Sequence, residues 1–232
     1  VYYQPVYSTE KNDFVTLEAL SRLHHPELGW IAPDVFIQIA EKNHMIEQIT
    51  DLQFKRICMF INEHRDLMKK LFNIKVNLSS LDLMRSDCSS HFIRMMDIQH
   101  DWIQFEITET VATEYNAGLG MVVDGFMAAG VRLCLDDFGS GYANLNTVMR
   151  LPFSAIKIDR TLLFDICNDK KRAMFYQSIV ETFHRMGYSI VSEGVETEEE
   201  MSLLSSWGVD MIQGYYFSRP LPVDELLKLL NM

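Results

Sequence analysis

Five carboxylates, two amides and one lysine stand near the ends of short apolar runs. They are Glu18, Glu106, Asp136, Asp137, Glu193, Asn77, Gln213 and Lys157. The set is rich in hard oxygen donors and holds no histidine or cysteine. Such donors favour Mg2+ or Mn2+ over zinc or copper. Asp136 and Asp137 are adjacent and would repel each other if left unneutralised. At a strand end they can aim at two neighbouring cation sites. Two divalent cations about 3.5–4 Å apart form the usual clamp for hydrolysis of a phosphodiester.

These positions act together only if one scaffold gathers them. Strand-like runs occur at 1–8, 14–22, 73–79, 102–108, 131–136, 155–159, 188–193 and 210–213. Several are rich in β-branched or aromatic residues. Helical stretches fill the gaps. Pro33 suits the first turn of a helix over 33–42. Residues 50–71 place Phe54, Ile57, Cys58, Ile61, Met68 and Leu71 on one stripe at helical spacing. Residues 116–129 run into Gly130, a helix stop. Thr197 and Glu200 match a capping box. The alternation predicts a mostly parallel sheet with crossover helices. Eight strands in this length predict an α/β fold, a TIM-like (β/α)8 barrel with a modified first strand.

Strand parity sharpens the expectation, because successive side chains face opposite ways. Val76 and Leu78 oppose Lys75, Asn77 and Ser79. Ile103, Phe105 and Ile107 oppose Trp102, Gln104, Glu106 and Thr108. Val131, Leu133 and Leu135 oppose Asp136, and Ile156 and Ile158 oppose Lys157 and Asp159. One face is apolar and suits packing under helices. The other carries ionisable groups near the C-terminal end, where barrels build their sites. A core tolerates so many inward charges only when they are paired or bound to metal.

Composition sets the outer bounds. The chain has 232 residues, 48% of them hydrophobic, and a net charge of −11. That is a globular composition, long enough for a sizeable core. The acidic balance argues against polymeric nucleic acid and against contact of this segment with an anionic membrane. Cys58, Cys88, Cys134 and Cys167 form no C-x-x-C pair and read as reduced thiols of a cytoplasmic domain. No apolar stretch reaches membrane-spanning length. Residues 1–232 read as a single domain, and the start at Val1, in strand-like sequence, reads as a domain taken from a longer protein. The seven histidines read as structural, with no visible pairing, and the 14 methionines as core packing.

Ordered motifs add a resemblance. Tyr3-Gln4-Pro5 is followed by Glu18-Ala19-Leu20 with Arg22, then His25-Pro26-Glu27-Leu28-Gly29. Next come Val76-Asn77-Leu78-Ser79, Glu106-Ile107-Thr108-Glu109, and Asp136-Asp137-Phe138-Gly139-Ser140-Gly141-Tyr142. The last are Lys157-Ile158-Asp159-Arg160, Glu193-Gly194-Val195-Glu196-Thr197, and Gln213-Gly214-Tyr215-Tyr216-Phe217-Ser218-Arg219-Pro220. In this order, over nearly the whole chain, they resemble the EAL domain family, the bacterial cyclic di-GMP phosphodiesterases. A lone E-A-L tripeptide is weak; the ordered set is specific.

The resemblance implies metal-dependent hydrolysis of cyclic di-GMP to linear pGpG, with two divalent cations, Mg2+ or Mn2+, and a homodimer. It implies that Glu18, Asn77, Glu106 and Asp136 hold the first cation. Asp137 would help hold the second, with Asp136 shared and Glu193 a further carboxylate. Lys157 would contact the attacking water. Gln4, Leu20, Arg22 and Gln213 would meet substrate or site water. Glu109 would steady the loop at 137–150, and Asp159 and Glu196 would lend support. Leu23 stands where the family commonly has an aromatic, and Ala143 and Asn144 where it usually has two serines. The residues alone leave other readings open. A silent cyclic di-GMP receptor is the second. An interaction scaffold and another metal-dependent barrel phosphodiesterase are further ones. Asp136-Asp137-Phe138-Gly139 without a Gly-rich loop or an H-R-D segment is no kinase. Ca2+ is expected to inhibit, because its larger, looser shell suits the two-cation geometry poorly.

Overall fold

A computed structural model describes residues 1–114, 116–141 and 145–231, and the side chains of all these except 145–147. Tyr142, Ala143 and Asn144 lie outside the described residues. The strands, in chain order, are β1 Tyr2–Ser8, β2 Asp13–Leu20, β3 Leu23–His25, β4 Gly29–Ile31 and β5 Asn73–Asn77. They continue as β6 Ile103–Thr108, β7 Arg132–Phe138, β8 Ala155–Ile158, β9 Ser189–Glu193 and β10 Met211–Gln213. All but β3 and β4 close into a barrel, ordered β1-β10-β9-β8-β7-β6-β5-β2. Each predicted strand run corresponds to one of its staves.

The modified first strand is real. β1 runs antiparallel to both neighbours, setting Gln4 opposite Glu18 across β2 and Tyr7 opposite Ile212 across β10. The other contacts are parallel. The C-terminal segment ties in beside β1 through reciprocal Tyr3 and Leu221 backbone bonds of 2.8 Å.

The apolar parity face packs outward under helices. Phe105 on β6 touches Phe54, Phe92 and Phe126, with ring centroids 4.7–5.7 Å apart. All four rings are fully buried, which stabilises by about 1.5–3 kcal/mol each and fixes the strand that carries Glu106. The capping box is formed: Thr197 accepts from the Glu200 N–H while the Glu200 carboxylate accepts from the Thr197 N–H, opening the helix Glu198–Ser206. Asn116 caps the helix Ala117–Ala128, and Pro33 opens Pro33–Lys42.

Two expectations need correction. The stripe over 50–71 is not one helix. Ile46–Glu63 ends at His64, whose ψ of 42° leaves the helical range, and a short turn Arg65–Met68 follows. The apolar stripe survives because both pieces pack on the same core. Two histidines are paired: His91 Nε2 lies 2.8 Å from Asp51, and His184 Nε2 lies 2.8 Å from Asp210. β8 ends at Ile158, and Asp159 accepts from the Thr161 N–H at 2.9 Å to cap the next turn. No described helix is long and apolar enough to cross a membrane.

Candidate active site

The C-terminal ends of the strands bring the predicted polar set together around one cation. Lys157 on β8 is 1% exposed. Its Nζ lies 2.8 Å from Glu193 Oε1, 3.0 Å from Glu18 Oε2, 3.2 Å from Glu106 Oε2 and 3.3 Å from Asp136 Oδ1. Amides complete the shell. Asn77 Nδ2 donates to Glu18 Oε1 at 2.9 Å, and Gln213 Nε2 donates to Glu18 Oε2 at 2.6 Å. The same Gln213 nitrogen also lies 3.1 Å from Gln4 Oε1, and Gln4 Nε2 donates to the Ser218 carbonyl at 3.0 Å.

Strict alternation would turn Asp137 outward, yet it joins Asp136. The pairing of β7 with β8 shifts register between Leu135 and Phe138, and Asp137 adopts φ +58°. Asp tolerates this left-handed backbone better than most residues. The bulge re-aims its side chain. Asp136, Asp137 and Glu193 then offer one oxygen each, all within 4.8 Å of one another.

Charge in the cluster is unbalanced. Burial pulls the Lys157 pKa down, but Asp136, Glu106, Glu18 and Glu193 outweigh it and hold the ammonium well above its ordinary pKa. Burial also opposes the charge on Glu18, yet Lys157 and the bonds from Gln213 and Asn77 hold that carboxyl down to about 2. Burial pushes Glu106 up to about 8, against the pull of Lys157. Burial, with Asp136 adding, pushes Glu193 up to about 7 and Asp137 up to about 6. Glu106 Oε1 is buried with no hydrogen-bond partner. Buried carboxylates whose ionisation burial opposes, together with an orphaned oxygen and an all-oxygen donor set, fit divalent cations.

Two clefts flank the cluster. One, of about 230 Å3, is lined by Gln4, Asp159, Glu193, Glu196, Gln213 and Tyr215. The other, of about 210 Å3, is lined by Leu20, Arg22, Ser79, Asn77 and Thr108. Arg22 is half-buried and sits over the Tyr2 ring at 5.7 Å. Glu109, at the end of β6, accepts from the Gly139 N–H at 3.2 Å and so ties down the chain leaving β7.

Three neighbours escaped the sequence reading. Lys75 lies inside the barrel, 3.3 Å from Glu106 Oε1; its parity was visible but its depth was not. Arg219 sits 4.1 Å over the Tyr215 ring at the rim of the first cleft. Trp30 on the β3–β4 hairpin packs edge-on against Tyr2 at 5.8 Å, near Arg22. Trp30 supplies the aromatic beside Tyr2 at this corner, and both Trp30 and Leu23 are exposed.

Comparison with known proteins agrees with this geometry. The cyclic di-GMP phosphodiesterase NbdA of Pseudomonas aeruginosa is 32% identical over 100% of this chain, which covers 30% of that protein. The oxygen sensor protein DosP of Escherichia coli is 31% identical over 97% of this chain and 28% of its own length. The chain thus spans about a third of the curated relatives it matches. A solved PaMucR phosphodiesterase in complex with c-di-GMP superposes with a TM-score of 0.88 at 30% identity. It covers 97% of this chain and 93% of the solved one. The EAL domain model matches residues 1–220, and the chain therefore belongs to the EAL domain family.

Proposed function

We propose that this domain is a phosphodiesterase that hydrolyses cyclic di-GMP to linear 5′-pGpG with Mg2+ or Mn2+. The observation that carries the reading is the acid cluster around Lys157, set between two clefts in a member of this family. A cyclic dinucleotide has two nucleoside halves, and the two clefts would take one each with the phosphodiester across the cluster.

Glu18, Asn77, Glu106 and Asp136 would hold one cation. Asp137, sharing Asp136, would hold the second, with Glu193 beside them. When bound, two such cations supply Lewis acidity and a water acidic enough to ionise near neutral pH. Lys157 then keeps its proton, orients the attacking water through Nζ and offsets charge building on the phosphoryl oxygens. In the hydrolysis the water oxygen bonds to phosphorus and the P–O3′ bond breaks, leaving a 5′-phosphate on a linear dinucleotide. Arg22 presents a fork suited to a phosphate oxygen, and Leu20 a wall for a base. Gln4 and Gln213 orient ligand on the opposite side. Glu109 holds the chain after Asp137 through Gly139. Asp159 shapes the turn beside Glu193, and Glu196 lines its rim. On this reading residues 1–232 are one catalytic domain of a longer cytoplasmic or membrane-anchored protein, acting as a homodimer.

The test incubates the purified chain with cyclic di-GMP and Mn2+, then resolves nucleotides by chromatography. Formation of pGpG is expected. Tight binding by calorimetry with no pGpG under Mg2+ or Mn2+ would support a silent receptor and contradict the reading.

A further inference from the structure

Lys75 is a buried charge that the proposed reaction leaves unused. It stands on β5 two residues before Asn77, pairs in register with Glu18 of β2 and Gln104 of β6, and is 1% exposed inside the barrel. A buried ammonium persists only where something anionic answers it. The titratable groups facing it are Cys134, Glu106, Lys157 and Glu18. Burial pushes the Cys134 thiol far upward, so it is neutral. Glu18 is already held by Lys157, Gln213 and Asn77. Glu106 is the carboxylate that remains, with its Oε1 3.3 Å from Lys75 Nζ and its Oε2 3.2 Å from Lys157 Nζ.

The two grips differ. Lys157 donates an aligned hydrogen bond to Oε2. The Lys75 contact is close but misaligned: neither Lys75 Nζ nor Glu106 Oε1 has a hydrogen-bond partner. Lys157 therefore fixes the direction of Glu106, while Lys75 contributes charge. In a buried setting that charge acts far more strongly than it would in water.

Building on the reading that this cluster takes divalent cations, we propose that Lys75 is an internal counter-charge that lowers the affinity of the centre for them through Glu106. Its positive charge, 3.3 Å from Glu106 Oε1, opposes any cation that the same carboxylate would hold. Occupancy of the centre then follows the supply of divalent cation instead of saturating at trace levels.

The test compares wild type with Lys75→Met, which keeps the length and loses the charge. Mn2+ alone, without nucleotide, is titrated by calorimetry into each metal-free protein. The variant is expected to bind Mn2+ about tenfold tighter or more. Its hydrolysis of cyclic di-GMP should half-saturate at correspondingly lower Mn2+. Unchanged or weaker Mn2+ binding by a folded variant overturns the inference. If Lys75→Met does not fold, Glu106→Gln and the double variant Lys75→Met/Glu106→Gln decide. Glu106→Gln leaves Lys75 unanswered, so the double variant should melt higher in EDTA; melting no higher overturns the inference. Wild type that binds Mn2+ yet makes no pGpG contradicts the proposed catalysis, and the Mn2+ comparison still decides the role of Lys75. Failure of both proteins to bind Mn2+ overturns both readings.

Discussion

The Asp137 backbone N–H donates to the Asp136 carboxylate at 2.9 Å. Two adjacent residues of one strand thus face the same space, because the backbone turns left-handed at Asp137 with φ +58°. Shape and charge can be separated at this position. Asn tolerates the same backbone and keeps a polar tip, whereas Val does not. Asp137→Asn should fold with a melting temperature close to wild type and lose most turnover. Asp137→Val should lose about 1–3 kcal/mol of stability as well. Equal melting of the two variants would contradict the bulge as the device that aims Asp137.

Lys157 answers four carboxylates at once. Removing it leaves buried negative charge without a partner, which typically costs about 3–5 kcal/mol. Lys157→Met should therefore unfold at much lower denaturant than wild type in EDTA. Excess Mn2+ should recover part of that loss, because cations can take over the neutralisation. A variant as stable as wild type in EDTA would contradict the central place given to this ammonium.

Gly214 lies where β10 ends beside Val195. A Cβ there would overlap the Val195 backbone nitrogen, carbon and oxygen. The same approach lets the Val195 N–H bond the Gln213 carbonyl at 3.2 Å, so it helps seat Gln213 over Glu18. Gly214→Ala is expected to cost ~3 kcal/mol and to depress turnover. Thermal melting close to wild type would show that the segment gives way easily.

Ca2+ should compete with Mg2+ without supporting turnover, since its larger and looser shell fits a compact carboxylate cluster poorly. Rates measured at fixed Mg2+ with rising Ca2+ should fall. Unchanged rates would contradict the compact two-cation site.

Much of this architecture was legible from alternation. Ile103, Phe105 and Ile107 against Gln104, Glu106 and Thr108 gave both the strand and its inner face. Other features depend on contacts that no local pattern carries. The pairing of His184 with Asp210 spans 26 residues, and that of His91 with Asp51 spans 40. Asp137 faces inward only because of a bulge, which breaks the rule that located its neighbours. Lys75 shared the polar face of Asn77, but parity does not show that one position earlier on that face lies deeper in the barrel. The helix stripe over 50–71 was right in its buried side chains and wrong in its continuity, since a break at His64 keeps the same face inward.

Glu18, where Lys157, Asn77 and Gln213 converge, is proposed to belong to a centre that works only with divalent cation. The most direct test is the initial rate of pGpG formation against Mn2+ concentration for wild type and Glu18→Gln. No rate is expected in EDTA, with saturable recovery under Mn2+ for wild type and none for Glu18→Gln at any Mn2+ concentration. Turnover that survives chelation, or a Glu18→Gln curve that overlays wild type, would contradict this proposal.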